Sequence, residues 1–562
     1  MARSATSNPR DLLAAAQELH AKGEFDEALS SYEAALAAEP RLKAARLGMT
    51  SILEMARADG FNATLWRRLA ASLADRDANH QALARASAHQ IRLRHRLDQV
   101  RRLDDPSGAQ LLAALAAEPL VTDFLSRTVN LDPAMERFLI LVRRHLLFKA
   151  EMAHPALAAA LARQCFNAEY SLWAEPDEEA RAAEIATALD PEAIDPEALV
   201  RVALYCRLAS LPVAAVLDGR PLLGWPDWLR PLIVATLKNP LEEEAIAAEL
   251  QSFAPIENAI SRRVQSMYEA SPYPRWITLP PLPEIDLLTE LARRFPFMQA
   301  PSQPEAGRLR VLSAGCGTGQ HPLSLARNYR RVEVTAFDLS RASLAYAIRQ
   351  ARGLRIQNVT FLHGDILNVA ALERRFDVIE SVGVIHHMDD PKAGLRALAG
   401  VLEPGGVIRL GLYSEAARRQ IVKARARIAA LGLADGGPAS IRRFRHLLFT
   451  DPTFADLADL AGWDDFYATS AARDLMFHVQ EHRYDVPGIA DLLASAGLCF
   501  LGFEFIAGFS GSVAPAARVR ALYRQTFPDE PTCSDLGHWA TLEARQPEIF
   551  QGFTLWAQKP RS

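Results

Sequence analysis

Apolar positions change their rhythm once along this chain. Up to about residue 258 they recur at steps of three and four in Ala- and Leu-rich stretches, the period of a helix face. Pro106, Pro119, Pro133, Pro155, Pro191 and Pro196 break those stretches, so several antiparallel helices and no strands are expected there. From Arg310 onward the apolar residues gather into short runs: Val311-Leu312, Val332–Phe337, Val359–Leu362, Phe376–Ile379, Val407–Leu412, Leu498–Phe505 and Phe550–Gln558. Amphipathic segments alternate with the first five. That alternation predicts strands joined by helices, hence a mostly parallel α/β sheet.

Residues 9–42 hold a further pattern. Leu12, Ala15, Ala16, Leu19, Gly23, Ala28, Tyr32, Ala35 and Pro40 fall at the spacings of a tetratricopeptide unit, a 34-residue helix pair. A weaker echo runs from Ala63 through Trp66, Leu69, Ala70, Leu73 and Ala82. One unit cannot bury its own face and must stack on something. It is either a docking surface for a protein or peptide, or a helical capping layer. The expected organisation is tetratricopeptide-like helices over 1–100, further helices over 101–258, and the α/β domain over 259–562.

The densest chemistry lies between Arg310 and Asp338. Gly315, Gly317 and Gly319 sit between an apolar run and an amphipathic segment, where glycine lets backbone turn sharply and approach a ligand. Asp338 ends the next apolar run, 19 residues past Gly319, where a ribose would find a bidentate acceptor. A dinucleotide fold would want its third glycine at position 320, and that residue is Gln320. Asp365 follows the third run, Ser381 ends the fourth, and Glu403-Pro404-Gly405-Gly406 leads into the fifth. In this order and spacing, the set resembles the class I S-adenosylmethionine-dependent methyltransferases.

The resemblance implies a Rossmann-like sheet of seven strands, the seventh antiparallel, and S-adenosyl-L-methionine as cofactor. Backbone at Gly315, Gly317 and Gly319 would approach the methionine and ribose. Asp338 would take the ribose hydroxyls, Leu339 and Ile366 would flank the adenine, and Asp365 would accept its amine. Ser381 and Val382 would line the methionine end. The family often has an acid two residues before the first glycine, where this chain has Ser313. Two other readings stand beside it: an NAD-dependent oxidoreductase on a similar sheet, and a non-catalytic tetratricopeptide scaffold with a methyltransferase-like domain.

Three segments offer an acceptor site. Residues 259–280 read as a short helix and a Pro-rich turn, which the resemblance makes a lid with Tyr268, Tyr273 and Arg275 as substrate-facing candidates. The alternative is a domain-joining turn in which Tyr273 and Trp276 simply pack; a Pro-rich linker, Leu279 to Pro304, follows. Residues 415–486 are inserted after the fifth strand, beside the crevice of an open sheet, and make a substrate cap entered past Tyr413. Within it, His478-Val479-Gln480-Glu481-His482 matches the H-x-x-E-H of zinc peptidases. Without a helix and a third ligand the match is expected to be accidental, so no metal is assigned, and His478 and Glu481 are read either as acceptor-pocket residues or as part of a solvent-satisfied surface turn. His386 and His387 follow the fourth strand, where a neutral imidazole can take the proton of a hydroxyl or ammonium acceptor. Being adjacent, they are not both expected to face one pocket.

Composition narrows this little. A net charge of −4 excludes general attraction to nucleic acid or anionic membrane. The N-terminus has no apolar signal-type core, and no apolar run reaches the length of a membrane span. Five scattered cysteines form no C-x-x-C, so a cytoplasmic protein with reduced thiols is expected. The acceptor is a small molecule or a protein; the atom methylated is not encoded in any motif.

Overall fold

In the computed structural model, residues 8–299, 307–505 and 516–561 are described. The start of the N-terminus and the end of the 279–304 linker lie outside them. Contacts divide the chain into two units, Met1–Leu241 with Trp276–Pro283, and Glu242–Arg275 with Glu284–Ser562.

The first unit has no strand among its described residues. Its opening helix pair, Pro9–Lys22 and Phe25–Ala38, turns at Gly23, whose φ of +81° suits a residue without Cβ. Ala16, Ala28, Tyr32 and Ala35 are buried. Five of the six expected breaks are helix starts, with Pro106, Pro119, Pro133, Pro155 and Pro196 each opening a helix where its missing N–H costs nothing. Among the described residues no single helix is long and apolar enough to cross a membrane, although Pro106–Ala116 and Pro119–Arg127 pass that test as a pair bent by 77°.

The second unit is built on seven strands: β1 (Leu309–Ala314), β2 (Val332–Asp338), β3 (Val359–His363), β4 (Phe376–Val382), β5 (Leu402–Leu412), β6 (Cys499–Phe503) and β7 (Phe553–Gln558). Their order is β3-β2-β1-β4-β5-β7-β6, with β1 to β5 parallel and β7 antiparallel to both neighbours. The expected seven-stranded sheet is present. Its central strands read as continuous apolar runs because both faces are covered. β1 and β4 flank the point where strand order reverses, and the crevice at their carboxyl ends is the usual ligand site of such sheets.

Two features differ from the sequence expectation. The units part at Leu241/Glu242, ahead of 258, because residues 242–258 pack on the sheet: Phe253 N–H donates to His363 O at 2.9 Å, and its ring meets Phe337 edge-on at 5.5 Å. The lid segment 259–280 is divided after Arg275. The β6–β7 connection also carries two helices, Ala516–Thr526 and Leu536–Arg545, the second with Trp539 fully buried. The 415–486 insertion folds as helices, Arg419–Ala430, Pro438–Thr450 and Thr469–Met476, with its own buried set that includes Ile421, Phe444, Leu457 and Phe466.

Candidate active site

β1 ends at Ala314, and the chain turns through the glycines into the helix Gln320–Asn328. Gly317 has φ +51°, and a Cβ on it would lie 2.5 Å from the carbonyl oxygen of Tyr273. Thr318 donates its hydroxyl to the Pro274 carbonyl. The lid backbone therefore rests directly on the turn. Gly319, at φ +82°, faces Ala347 of the helix Arg341–Leu354 and does not line the cavity. Its missing Cβ makes room for that helix, and the structure puts it off the wall where the sequence reading had its backbone approach the cofactor.

A cavity of about 550 Å³ opens against Gly315 and Gly317. Asp338, Leu339, Asp365, Ile366 and Val382, all read from the sequence as cofactor residues, lie on its wall. Asp338 Oδ2 accepts from Gly317 N at 2.7 Å and Oδ1 from Ser340 N at 2.9 Å. Burial pushes its carboxyl up to about 6, against the pull of those N–H groups. Asp365 Oδ1 accepts from Leu367 N at 3.0 Å.

Strand alternation sends Glu380 and Val382 to the cavity and Ser381 elsewhere, so Ser381 is buried off the wall. Glu380 Oε1 lies 3.4 Å from Arg409 Nη1, while Oε2 has no hydrogen bond. Burial pushes its carboxyl up, but His321 and Arg409 outweigh that and hold it below its ordinary range.

His386 and His387 occupy the 3₁₀ turn Ile385–His387, and both line the cavity, contrary to expectation. The turn folds their rings together, centroids 4.2 Å apart, so one space meets both. His387 Nδ1 lies 2.8 Å from the Gln480 carbonyl oxygen. A carbonyl only accepts, so Nδ1 carries the proton and Nε2 presents a bare lone pair. That Nε2 is buried with no hydrogen-bond partner, and burial holds the ring neutral.

The cap closes the far end. Tyr268 donates to Asp474 Oδ1 at 2.5 Å, Tyr413 to Asp474 Oδ2 at 3.2 Å, and Tyr273 to Asp465 Oδ1 at 3.2 Å. Burial, then the aspartates, hold all three phenols well above their usual range, so they stay protonated donors. Burial, then the charge of Asp474, pushes the Asp465 carboxyl up to about 7. Arg418 donates to Glu481 at 2.5 and 3.2 Å and to Leu475 O at 2.8 Å, with its guanidinium 4.0 Å above Tyr413.

Of the expected acceptor-side residues, Tyr268, Tyr273 and Tyr413 meet the cavity, and Arg275, His478 and Glu481 do not. Arg275 lies 5.3 Å from the ring of Tyr346. His478 stacks on His387 at 3.5 Å, and Glu481 is the partner of Arg418. The H-x-x-E-H segment is not helical, and His482 Nε2 lies 3.0 Å from Met388 O. His387, Asp474 and His478 bring possible ligand atoms within 4.8 Å of one another. Their geometry suits an ion poorly: Asp474 holds two tyrosine hydroxyls, and with ring planes only 20° apart one ion cannot lie in both. Sequence reasoning missed Glu380, Arg418, Asp465 and Asp474. Only Glu380 left a signal, an acid within the apolar run Phe376–Val382.

Residues 311–406 match the family described as a methyltransferase domain. An uncharacterised protein of Synechococcus sp. is 30% identical over 259 residues, 45% of this chain and 62% of that one. The malonyl-[acyl-carrier protein] O-methyltransferase of Pectobacterium atrosepticum is 31% identical over 141 residues, 25% of this chain and 52% of that one. The tRNA 5-carboxymethoxyuridine methyltransferase of Escherichia coli is 33% identical over 108 residues, 19% and 41% of the two chains. The chain thus spans less than two thirds of the length of each. Among solved structures, PKMT2 from Rickettsia typhi in complex with AdoHcy aligns with a TM-score of 0.35 and 18% identity, over 48% of this chain and 51% of that one. The family match, the methyltransferase relatives and the strand order identify the second half of this chain as a class I S-adenosylmethionine-dependent methyltransferase domain.

Proposed function

We propose that this protein transfers a methyl group from S-adenosylmethionine to an acceptor bound beneath the 415–486 cap. One observation carries the reading: a single cavity joins Asp338 and Asp365 at the glycine turn to Tyr413, Asp465 and Asp474 under the cap. Its volume is within the range of small-molecule sites, about 300–1,000 Å³. The wall fits the cofactor, with Asp338 for the ribose, Asp365 for the adenine amine, and the unbonded Oε2 of Glu380 for the methionine ammonium.

When bound, S-adenosylmethionine supplies an electrophilic methyl on a sulfonium. The protein's part is to orient an acceptor in line with it and exclude water. Tyr268, Tyr273 and Tyr413 wall the acceptor space, and the lid resting on Gly317 limits solvent access. His387 Nε2 is our candidate for taking the acceptor's proton. Titration calorimetry with S-adenosylmethionine and with NAD tests the cofactor: the first should bind at one site per chain and the second should not. Mass spectrometry of lysate incubated with labelled cofactor would then reveal the acceptor.

For the helical unit we infer a tetratricopeptide-like docking role, supported by the buried small residues of its first helix pair. Removing residues 1–241 should leave cofactor affinity unchanged and impair recognition of the physiological acceptor. The five unpaired cysteines support a reducing, cytoplasmic setting.

A further inference from the structure

We propose that the acceptor is an amine that enters as its ammonium cation and seats between the Asp465 and Asp474 carboxylates, among the rings of Tyr268, Tyr273 and Tyr413. This deepens, and rests on, the methyl-transfer reading above.

Most donors at the cap end of the cavity are already committed, the exceptions being one N–H of the unpartnered His386 ring and Arg418 Nη1. The three tyrosine hydroxyls donate to the two aspartates, and Arg418 donates to Glu481 and Leu475. What remains is chiefly acceptor capacity. A carboxylate offers about four lone-pair sites, and Asp474 uses two and Asp465 one for the phenols. His387 lines the same cavity at 4% exposure, with its bare Nε2 unpartnered. A ligand completing this set must bring hydrogen-bond donors, and an ammonium brings three.

Charge points the same way. Arg418 neutralises Glu481 in a contact that both residues bury almost completely. Asp465 and Asp474 accept hydrogen bonds only from phenols and share the through-space charge of Arg418, and the charge of Asp474 opposes ionisation of Asp465. Neither aspartate has a cation in direct contact, so a bound ammonium supplies one, whereas a carboxylate acceptor would add a third negative group. Aromatic rings around a buried cation contribute further through their negative faces. Transfer then balances as follows: one ammonium proton passes to His387 Nε2, and the freed nitrogen pair forms the N–C bond. The C–S electron pair returns to sulfur, leaving a neutral thioether and a methylated ammonium.

The test uses the full chain saturated with S-adenosylhomocysteine, titrated separately with n-hexylammonium, hexanoate and 1-hexanol. These probes share an apolar stem and differ at the head. Hexylammonium should saturate at least about tenfold more tightly than hexanol, and hexanoate should not saturate. Asp465→Asn and Asp474→Asn should each weaken hexylammonium by about fivefold or more, with homocysteine-analogue affinity unchanged as the sign of an intact fold. Hexanoate or hexanol binding as tightly as hexylammonium, no saturable hexylammonium binding, or indifference to both substitutions overturns the proposal. Failure to bind S-adenosylhomocysteine at all overturns the methyltransferase reading instead, so the two failures are distinguishable.

Discussion

Ser313 of β1 and Glu380 of β4 are register partners across the parallel pair. The position where related domains often carry an acid is a serine here, and the adjacent strand presents a carboxylate beside it. One oxygen of that carboxylate faces Arg409, and the other lies at the cavity wall without a hydrogen bond, 3.7 Å from His321 Nδ1.

Glu380→Gln should therefore weaken S-adenosylmethionine binding by about ten- to a hundred-fold, the loss of one charge-assisted pair worth about 1.5–3 kcal/mol. Adding Ser313→Asp returns a carboxylate to the neighbouring strand and should recover much of that loss. Calorimetry on the two variants checks both expectations. A Glu380→Gln protein with wild-type affinity would remove this residue from the cofactor site.

Asp338 should give cofactor binding a pH dependence. Its carboxyl is pushed from 3.8 to about 6 by burial, so the free protein favours the protonated form more than the unfolded chain does. This group's contribution to folding stability is thus present below pH 3.8 and lost as pH rises through about 6. Cofactor binding runs the other way, because ribose hydroxyls donate to the ionised form. Affinity should fall as pH drops through about 6, and Asp338→Asn should bind weakly with that dependence removed.

Gly319→Ala should destabilise the fold without touching the cavity. A left-handed backbone costs an alanine about 1–2 kcal/mol, and its Cβ would sit 2.5 Å from Ala347 Cβ. Relieving that overlap costs about 1–3 kcal/mol more. Chemical denaturation should register a total of about 2–5 kcal/mol, with residual folded protein still binding cofactor.

Asp465→Asn should stabilise the free protein at alkaline pH. The carboxyl is raised from 3.8 to about 7, so its stabilising contribution is present below pH 3.8 and disappears as pH rises through about 7. At pH 8 the wild type carries a disfavoured charge costing about 1–3 kcal/mol, since cavity water screens part of it. Thermal melts at pH 8 should show the variant above wild type, and the gap should close toward pH 4. A variant less stable than wild type at pH 8 would mean that Tyr273 and Arg418 stabilise the charged carboxylate more than burial opposes it.

Strands, glycine turn and the acid ending β2 could be read from the chain alone because each is a local matter. Residues 311–338 specify strand, turn, helix and strand through the spacing of their own apolar and glycine positions, and Asp338 follows at a fixed offset. The breaks at Pro106, Pro119, Pro133, Pro155 and Pro196 were legible for the same reason, since a proline acts on its own backbone, and the structure shows each to be a helix start. The acceptor end was not legible. Tyr268 and Asp474 share a hydrogen bond across 206 positions, and Tyr273 and Asp465 across 192. Ser381 looked functional until strand alternation turned it away, and Glu380 looked incidental until register set it beside Ser313. Spacing along the chain reports which residues share an element; which elements meet is decided by burial of their apolar faces, and that brought these acids, phenols and histidines to one cavity.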